Sequence, residues 1–261
     1  MVSMAMLISC VASCDSGSDA VSYGVGTLSL GLSANPSFST KTRSVNEAEY
    51  KKADNYQVTV KDVDGASLYN GLYKDMPLSI DLTAGKGYTV KAFYGENVNA
   101  GFDKLYVEGS QEFTVSEGEQ KNVILYCKPA NVKVSVVYTE DFLKYYSDCT
   151  VSLSTSHLTA PFEVNMKKDS GKDAYLKANA DGEKVSITVG GFRDKEGNEV
   201  VMDLVAAERV VKPKTHLTIT VDPEVITIST GTASIDVDVD TSTEDKDINI
   251  EIPEEYWPGN V

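Results

Sequence analysis

The sequence predicts an all-β protein: two β-sandwiches in tandem, with short helices and a β-rich C-terminal tail. Three observations predict it. Apolar and polar residues alternate over runs of strand length. Asp-Gly and Gly-rich turn signals separate those runs. The order of strand, short helix, strand, hairpins and closing strand then occurs twice along 261 residues.

The first strand is Thr27–Leu32, whose Leu28, Leu30 and Leu32 share one face. Asn35 and Pro36 break it, and a polar stretch runs on through Arg43. Asn46 and Glu49 have capping-box spacing for a short helix reaching Lys52. Tyr56–Val60, Leu78–Leu82, Tyr88–Phe93, Gln111–Val115 and Val123–Cys127 then alternate, with turns at Asp64–Gly65 and Gly85–Gly87. This spacing suits an antiparallel sandwich over residues 25–128. Lys128–Asn131 punctuates the chain, and the pattern restarts. Val132–Tyr138 alternates, and Thr139 caps a short helix to Tyr146. Cys149–Leu153, Val185–Val189 and His216–Val221 take the places of Tyr56–Val60, Tyr88–Ala92 and Asn122–Cys127. The second sandwich therefore covers 129–224; one larger domain is the alternative, because two repeats are few. An acidic β-segment, 225–261, follows, with alternation at Val225–Ile228, Ala233–Asp240 and Ile248–Ile252.

Ahead of all this, an apolar run from Ala5 to Ala12 ends in small residues beside cysteine, the layout of a secretory signal peptide over 1–13. Residues 14–24 read as a flexible tether. With cysteine as the first residue kept, the stretch resembles a bacterial lipobox, in which the thiol becomes the lipid anchor. Cys14 is the preferred site, for the longer apolar run before it; Cys10 is the second choice. Residues 1–6 contain no Lys or Arg, so a true start upstream is expected. The run is far shorter than the roughly 20 residues of a spanning helix.

Lys and Arg number 24 against 39 Asp and Glu, giving a net charge of −15. That argues against nucleic acid or anionic lipid as a partner. No catalytic constellation, phosphate loop or paired-His metal motif is present, so neither an enzyme nor a cofactor is expected. His157 and His216 have no acid or nucleophile at a recognised spacing and read as plain surface or edge residues. Asp236, Asp238, Asp240 and Asp247 echo a calcium loop, but Thr241 stands where Gly belongs and no metal site is expected; a solvated strand face explains them. Cys127 and Cys149 are in phase with core residues and read as buried; an oxidising compartment would permit a disulfide. Aromatic residues fall in two presumed loops: Tyr69 and Tyr73, then Phe102 and Tyr106. Exposed, they would suit sugar stacking; folded back, they would extend the cores.

Gly26–Leu30, Thr40–Arg43, Asn55–Val60, Ala84–Val90 and Cys127–Val136, behind the lipobox and its acidic residues, resemble Bacteroidales surface lipoproteins. The likeness is to a domain-of-unknown-function family near the fimbrillin and Mfa-like adhesion subunits. It implies immunoglobulin-like or transthyretin-like sandwiches, a lipid-anchored place at the outer membrane and cell surface, and a part in adhesion or fimbriae. It also implies maturation by cleavage at an Arg past the first strand, a place that Arg43 occupies; an ordinary loop arginine is the plain alternative. Cleavage would free a groove for β-strand addition by another surface or fimbrial protein. Glycans are the alternative partner, in a surface lipoprotein supporting polysaccharide capture.

Overall fold

A computed structural model describes residues 24–38, 47–201, 205–222, 225–232 and 248–251. The first half contains β1 (Val25–Ala34), α1 (Glu47–Tyr50), β2 (Gln57–Asp62), β3 (Ser67–Leu72), β4 (Ile80–Thr83), β5 (Gly87–Gly95), β6 (Ala100–Phe102), β7 (Tyr106–Thr114) and β8 (Gln120–Pro129). The second contains β9 (Asn131–Tyr138), α2 (Phe142–Tyr145), β10 (Tyr146–Ser154), β11 (Phe162–Asn165), α3 (Met166–Asp169), β12 (Ala174–Lys177), β13 (Glu183–Asp194), β14 (Val205–Val211) and β15 (Thr215–Val221). Two further strands, β16 (Val225–Thr232) and β17 (Ile248–Glu251), continue outward from β15.

The strand pairings repeat. β2 lies between β3 and β5, and β5 pairs with β7; likewise β10 lies between β11 and β13, and β13 pairs with β14. β1 lies between β4 and β8, as β9 lies between β12 and β15. In the first half a short pairing of β7 with β8, at Val107 opposite Pro129, joins both layers into one seven-stranded sheet. In the second half they stay separate, as a four-stranded and a six-stranded sheet.

Three sequence expectations need correction. The sandwiches are not purely antiparallel: β1 runs parallel to β8, and β9 to β15. A parallel pair cannot close through a hairpin, and here the strands between the two make the long crossover it needs. The stretch holding Tyr69 is a strand, β3, and Phe102 lies in another, β6, rather than in loops. Neither shows alternation, because β3 is an edge strand with no fully buried residue and β6 has only three residues. Residues 128–131, where the pattern restarts, form a tight connection. Ala130 alone separates β8 from β9, and its N–H donates to Tyr106 O at 2.9 Å. The third correction, at His216, belongs to the polar cluster below.

Two clusters of buried apolar side chains fill the layers. One runs from Leu28 to Cys127 and includes Val58, Val90 and Leu125; the other runs from Val132 to Val221 and includes Val151, Ile187 and Ile219. The alternating residues that predicted the strands supply these side chains, each worth about 1.5–3 kcal/mol when fully buried. The halves interlock. β6, from the first, pairs with β12 at the edge of the second half's sheet, while Tyr175 of β12 is buried in the first cluster. Caps fix the short helices: Phe142 N–H donates to Thr139 Oγ1 at 3.1 Å, and Asn165 Oδ1 accepts from Lys167 and Lys168 N–H at 3.2 Å each.

Candidate functional site

β1 sits in a closed seat. On one side Thr27 lies opposite Gln120 and Ala34 opposite Cys127; on the other Val25 lies opposite Thr83 and Leu28 opposite Ile80. Leu28 is fully buried, while Leu30, Leu32 and Ala34 pack against the same cluster half-buried. Tyr73 Oη donates to Leu30 O at 3.0 Å and clamps the strand's middle. At Gly26 any Cβ would stand 2.4 Å from Val115 Cγ2 and 2.6 Å from Ser116 O, so the strand can settle this deeply only without a side chain there. Removed from its place, β1 would leave a slot bordered by the unpaired edges of β4 and β8.

Beyond β1, Phe38 reaches the second half. Its ring meets Tyr175 edge-on, centroids 6.1 Å apart, and Lys133 Nζ lies 6.0 Å from its centroid. Beneath is a buried polar cluster. Lys133 Nζ lies 3.0 Å from Asp173 Oδ2, as an ionic contact rather than a directed hydrogen bond. Ser135 Oγ donates to Asp173 Oδ1 and lies 2.8 Å from His216 Nε2. Lys133 and Ser135 are on β9, His216 is on β15, and Asp173 immediately precedes β12. Burial, and after it the Lys133 charge, push the His216 imidazole down to about 4, with Asp173 opposing. The ring is therefore neutral at pH 7, and since the Ser135 hydroxyl hydrogen points to Asp173 Oδ1, the His216 Nε2–H donates to Ser135 Oγ.

His216 is thus a buried network member with 2% exposure, not the plain surface or edge residue the sequence suggested. Its alternation partners, Thr218 and Thr220, gave no sign of this, because its neighbours come from β9 and from the residue preceding β12, far away in sequence. The trio is not a nucleophilic triad: the acid holds the hydroxyl instead of orienting the imidazole. What it can do is bind β9, β12 and β15 together below Phe38.

Cys14, Cys10 and Arg43 lie outside the described residues, as do Asp236, Asp238, Asp240 and Asp247. The four singled-out aromatics are dispersed. Tyr69 and Tyr73 are half-buried against the first cluster, with Tyr69 Oη donating to Leu72 O at 2.6 Å. Phe102 packs on the second cluster, 4.9 Å from Phe162. Tyr106 is buried, 6.1 Å from Phe93, and its hydroxyl donates to Glu108 Oε2 at 3.1 Å. Each ring's contacts are made outside the set. Cys127 and Cys149 are free, buried one in each cluster, and burial pushes both thiols up to about 12. Among the described residues, no helix is long and apolar enough to cross a membrane, and no group of three His, Cys, Asp or Glu side chains is placed to hold a metal ion.

Residues 24–254 match a family described as "Domain of unknown function (DUF4493)". No curated protein is similar in sequence. Among solved structures, the chain is similar to a fimbrial assembly protein from Parabacteroides distasonis, at 15% identity and a TM-score of 0.41, covering 80% of this chain and 96% of that one. It is similar to a candidate cell adhesion protein from Bacteroides eggerthii, at 11% identity and 0.40, covering 88% and 96%. A candidate polysaccharide-binding protein from Bacteroides thetaiotaomicron is similar at 8% and 0.39, covering 81% and 98%.

Proposed function

Since the chain belongs to the family Domain of unknown function (DUF4493), we propose that it is a non-enzymatic surface lipoprotein of that family, displaying its β-sandwich framework for adhesion or fimbria-related assembly. One observation supports this reading: the first strand, β1, is paired between β4 and β8, and a polar sequence segment containing Arg43 follows it. A cut after Arg43 frees β1 from all but its non-covalent contacts. The slot it leaves offers main-chain donors and acceptors on both sides, the arrangement that an extended segment from another chain fills by β-strand addition. Lipid on Cys14, or on Cys10 as the second choice, anchors the molecule in the outer membrane at the cell surface. The two repeated halves then act as two domains, 25–128 and 129–224, with 225–261 extending the second.

The experiment is cleavage by an arginine-specific protease at neutral pH, followed by mass analysis and size-exclusion chromatography. The expected outcome is a cut after Arg43, loss of the fragment carrying β1, and assembly into species larger than the monomer. A chain left intact at Arg43, or cut there but remaining monomeric with β1 retained, overturns the assembly reading. Glycan capture is the second reading, and what favours it is a cleft beside Phe93 rather than the four dispersed rings.

A further inference from the structure

On the outer face of β2, β3 and β5, Gln57 stands opposite Leu72 on one side and Phe93 on the other. This row ends in a cleft of about 460 Å³, lined by Tyr50, Asn55, Gln57, Phe93, Tyr94 and Asp103, among others. The volume lies within the roughly 300–1,000 Å³ of small-molecule sites. Its floor is built by close approach. Gly95 has φ +99, and a Cβ there would stand 2.1 Å from Leu105 O. Tyr50 Oη donates to that same carbonyl at 3.0 Å, fixing the floor to α1.

The wall is the turn from β6 into β7, and the second half holds it. Asp103 takes the left-handed conformation at φ 56, and its N–H donates to Asp173 O at 3.3 Å. Asn131 Nδ2 donates to Lys104 O at 2.8 Å, while Lys104 Nζ pairs with Glu96. Polar groups nevertheless remain uncommitted. Among the described residues, the Asp103 carboxylate has no ion pair or hydrogen bond, and Tyr94 Oη and the side-chain carbonyls of Asn55 and Gln57 have no hydrogen-bond partner. Rings beside unpaired acceptors suit a molecule with apolar ring faces and outward hydroxyl donors. Glu96 and Asp103, in a chain of net charge −15, disfavour an anionic one.

We propose that this cleft binds a neutral saccharide of one or two rings, packed on Phe93, with its hydroxyls donating to Gln57, Asn55 and Asp103. The assignment rests on the surface-adhesion reading only for the setting in which such a sugar is met.

Saturation-transfer NMR on the full chain tests it, with maltotriose, cellotriose, mannotriose and chitotriose as neutral probes and 3′-sialyllactose as the anionic one. The expected result is transfer to at least one neutral trisaccharide, weakened at least tenfold in Phe93→Ala and in Asp103→Asn. Asn accepts the left-handed backbone as Asp does, so the second variant keeps the turn while removing the charge. Transfer to no neutral probe, to sialyllactose alone, or unchanged in both variants overturns the proposal. Assembly after cleavage at Arg43 is read separately. A chain that assembles but ignores the sugars removes the cleft assignment alone, whereas one that binds a sugar but stays monomeric removes the assembly reading alone.

Discussion

At the scale of single residues, the buried cluster around His216 gives the molecule a pH dependence of definite sign. The imidazole titrates at about 4 in the folded protein against an ordinary 6.5, chiefly because burial disfavours its charged form. Between those values the unfolded chain binds the extra proton and the folded chain does not. Stability from this group is therefore complete above about pH 6.5 and is lost as pH falls toward 4, by about 2 kcal/mol between pH 7 and pH 5. Urea unfolding at the two pH values, in the native chain and in His216→Asn, checks this. The variant's pH slope is expected to be flatter by that amount, and equal slopes would refute the assignment. None of this was legible in the sequence, where His216 merely opens an alternating run. Its partners Ser135 and Asp173 stand 81 and 43 positions away, and pairing of β9 with β12 and β15 alone brings them together.

At the scale of elements, legibility followed burial. β1, β2, β5, β8, β10 and β15 bury one face against a cluster, so their sequences alternate and could be read. β12 could not: Ala174, Tyr175 and Leu176 are all buried, because each face of the strand meets a different half. β3 could not for the opposite reason, since an edge strand with exposed faces has no periodicity imposed on it. The Asp64–Gly65 turn was readable because its geometry is local, with Gly65 at φ 85 and Gly65 N–H donating to Asp62 O at 3.0 Å. The β1 seat makes its own prediction. Leu28→Ala should cost about 2–5 kcal/mol in guanidinium unfolding, as deletion of a fully buried side chain does. Ser29→Ala, on the exposed face of the same strand, should change stability by less than about 0.5 kcal/mol. Similar losses in both would mean that β1 is not seated by its inward face.

At the scale of the whole molecule, the repeat was legible and the interlock was not. The repeated order of elements can be read along the chain; the exchange of β6 and Tyr175 between halves depends on contacts between residues far apart in sequence. That exchange predicts that damage crosses over. Tyr175 belongs to the second half but fills the first cluster, so Tyr175→Ala should destabilise the half that does not contain it. The two buried thiols report each half separately, Cys127 the first and Cys149 the second. In a chain with Cys10 and Cys14 replaced by Ser, thiol labelling across a urea series should show Cys127 exposed at lower urea in the Tyr175→Ala variant. A shift at Cys149 with none at Cys127 would refute the interlock. The candidate cleft beside Phe93 shares this origin: Gln57 and Phe93 were readable as strand residues, but the wall at Asp103 is tied down by residues of the second half.

The parallel pairing of the opening and closing strands in each half has a mechanical consequence. Tension applied along the chain pulls the start of β1 one way and the end of β8 the other, along the length of their shared ladder from Thr27 opposite Gln120 to Ala34 opposite Cys127. The ladder's hydrogen bonds then carry load together, in shear, where a hairpin pulled from its open end would unzip one rung after another. β9 and β15 repeat the geometry from Lys133 opposite His216 to Val136 opposite Ile219 and beyond. Tension between the ends of each half therefore loads its parallel ladder in shear, and each half resists extension as a bolt rather than as a zip.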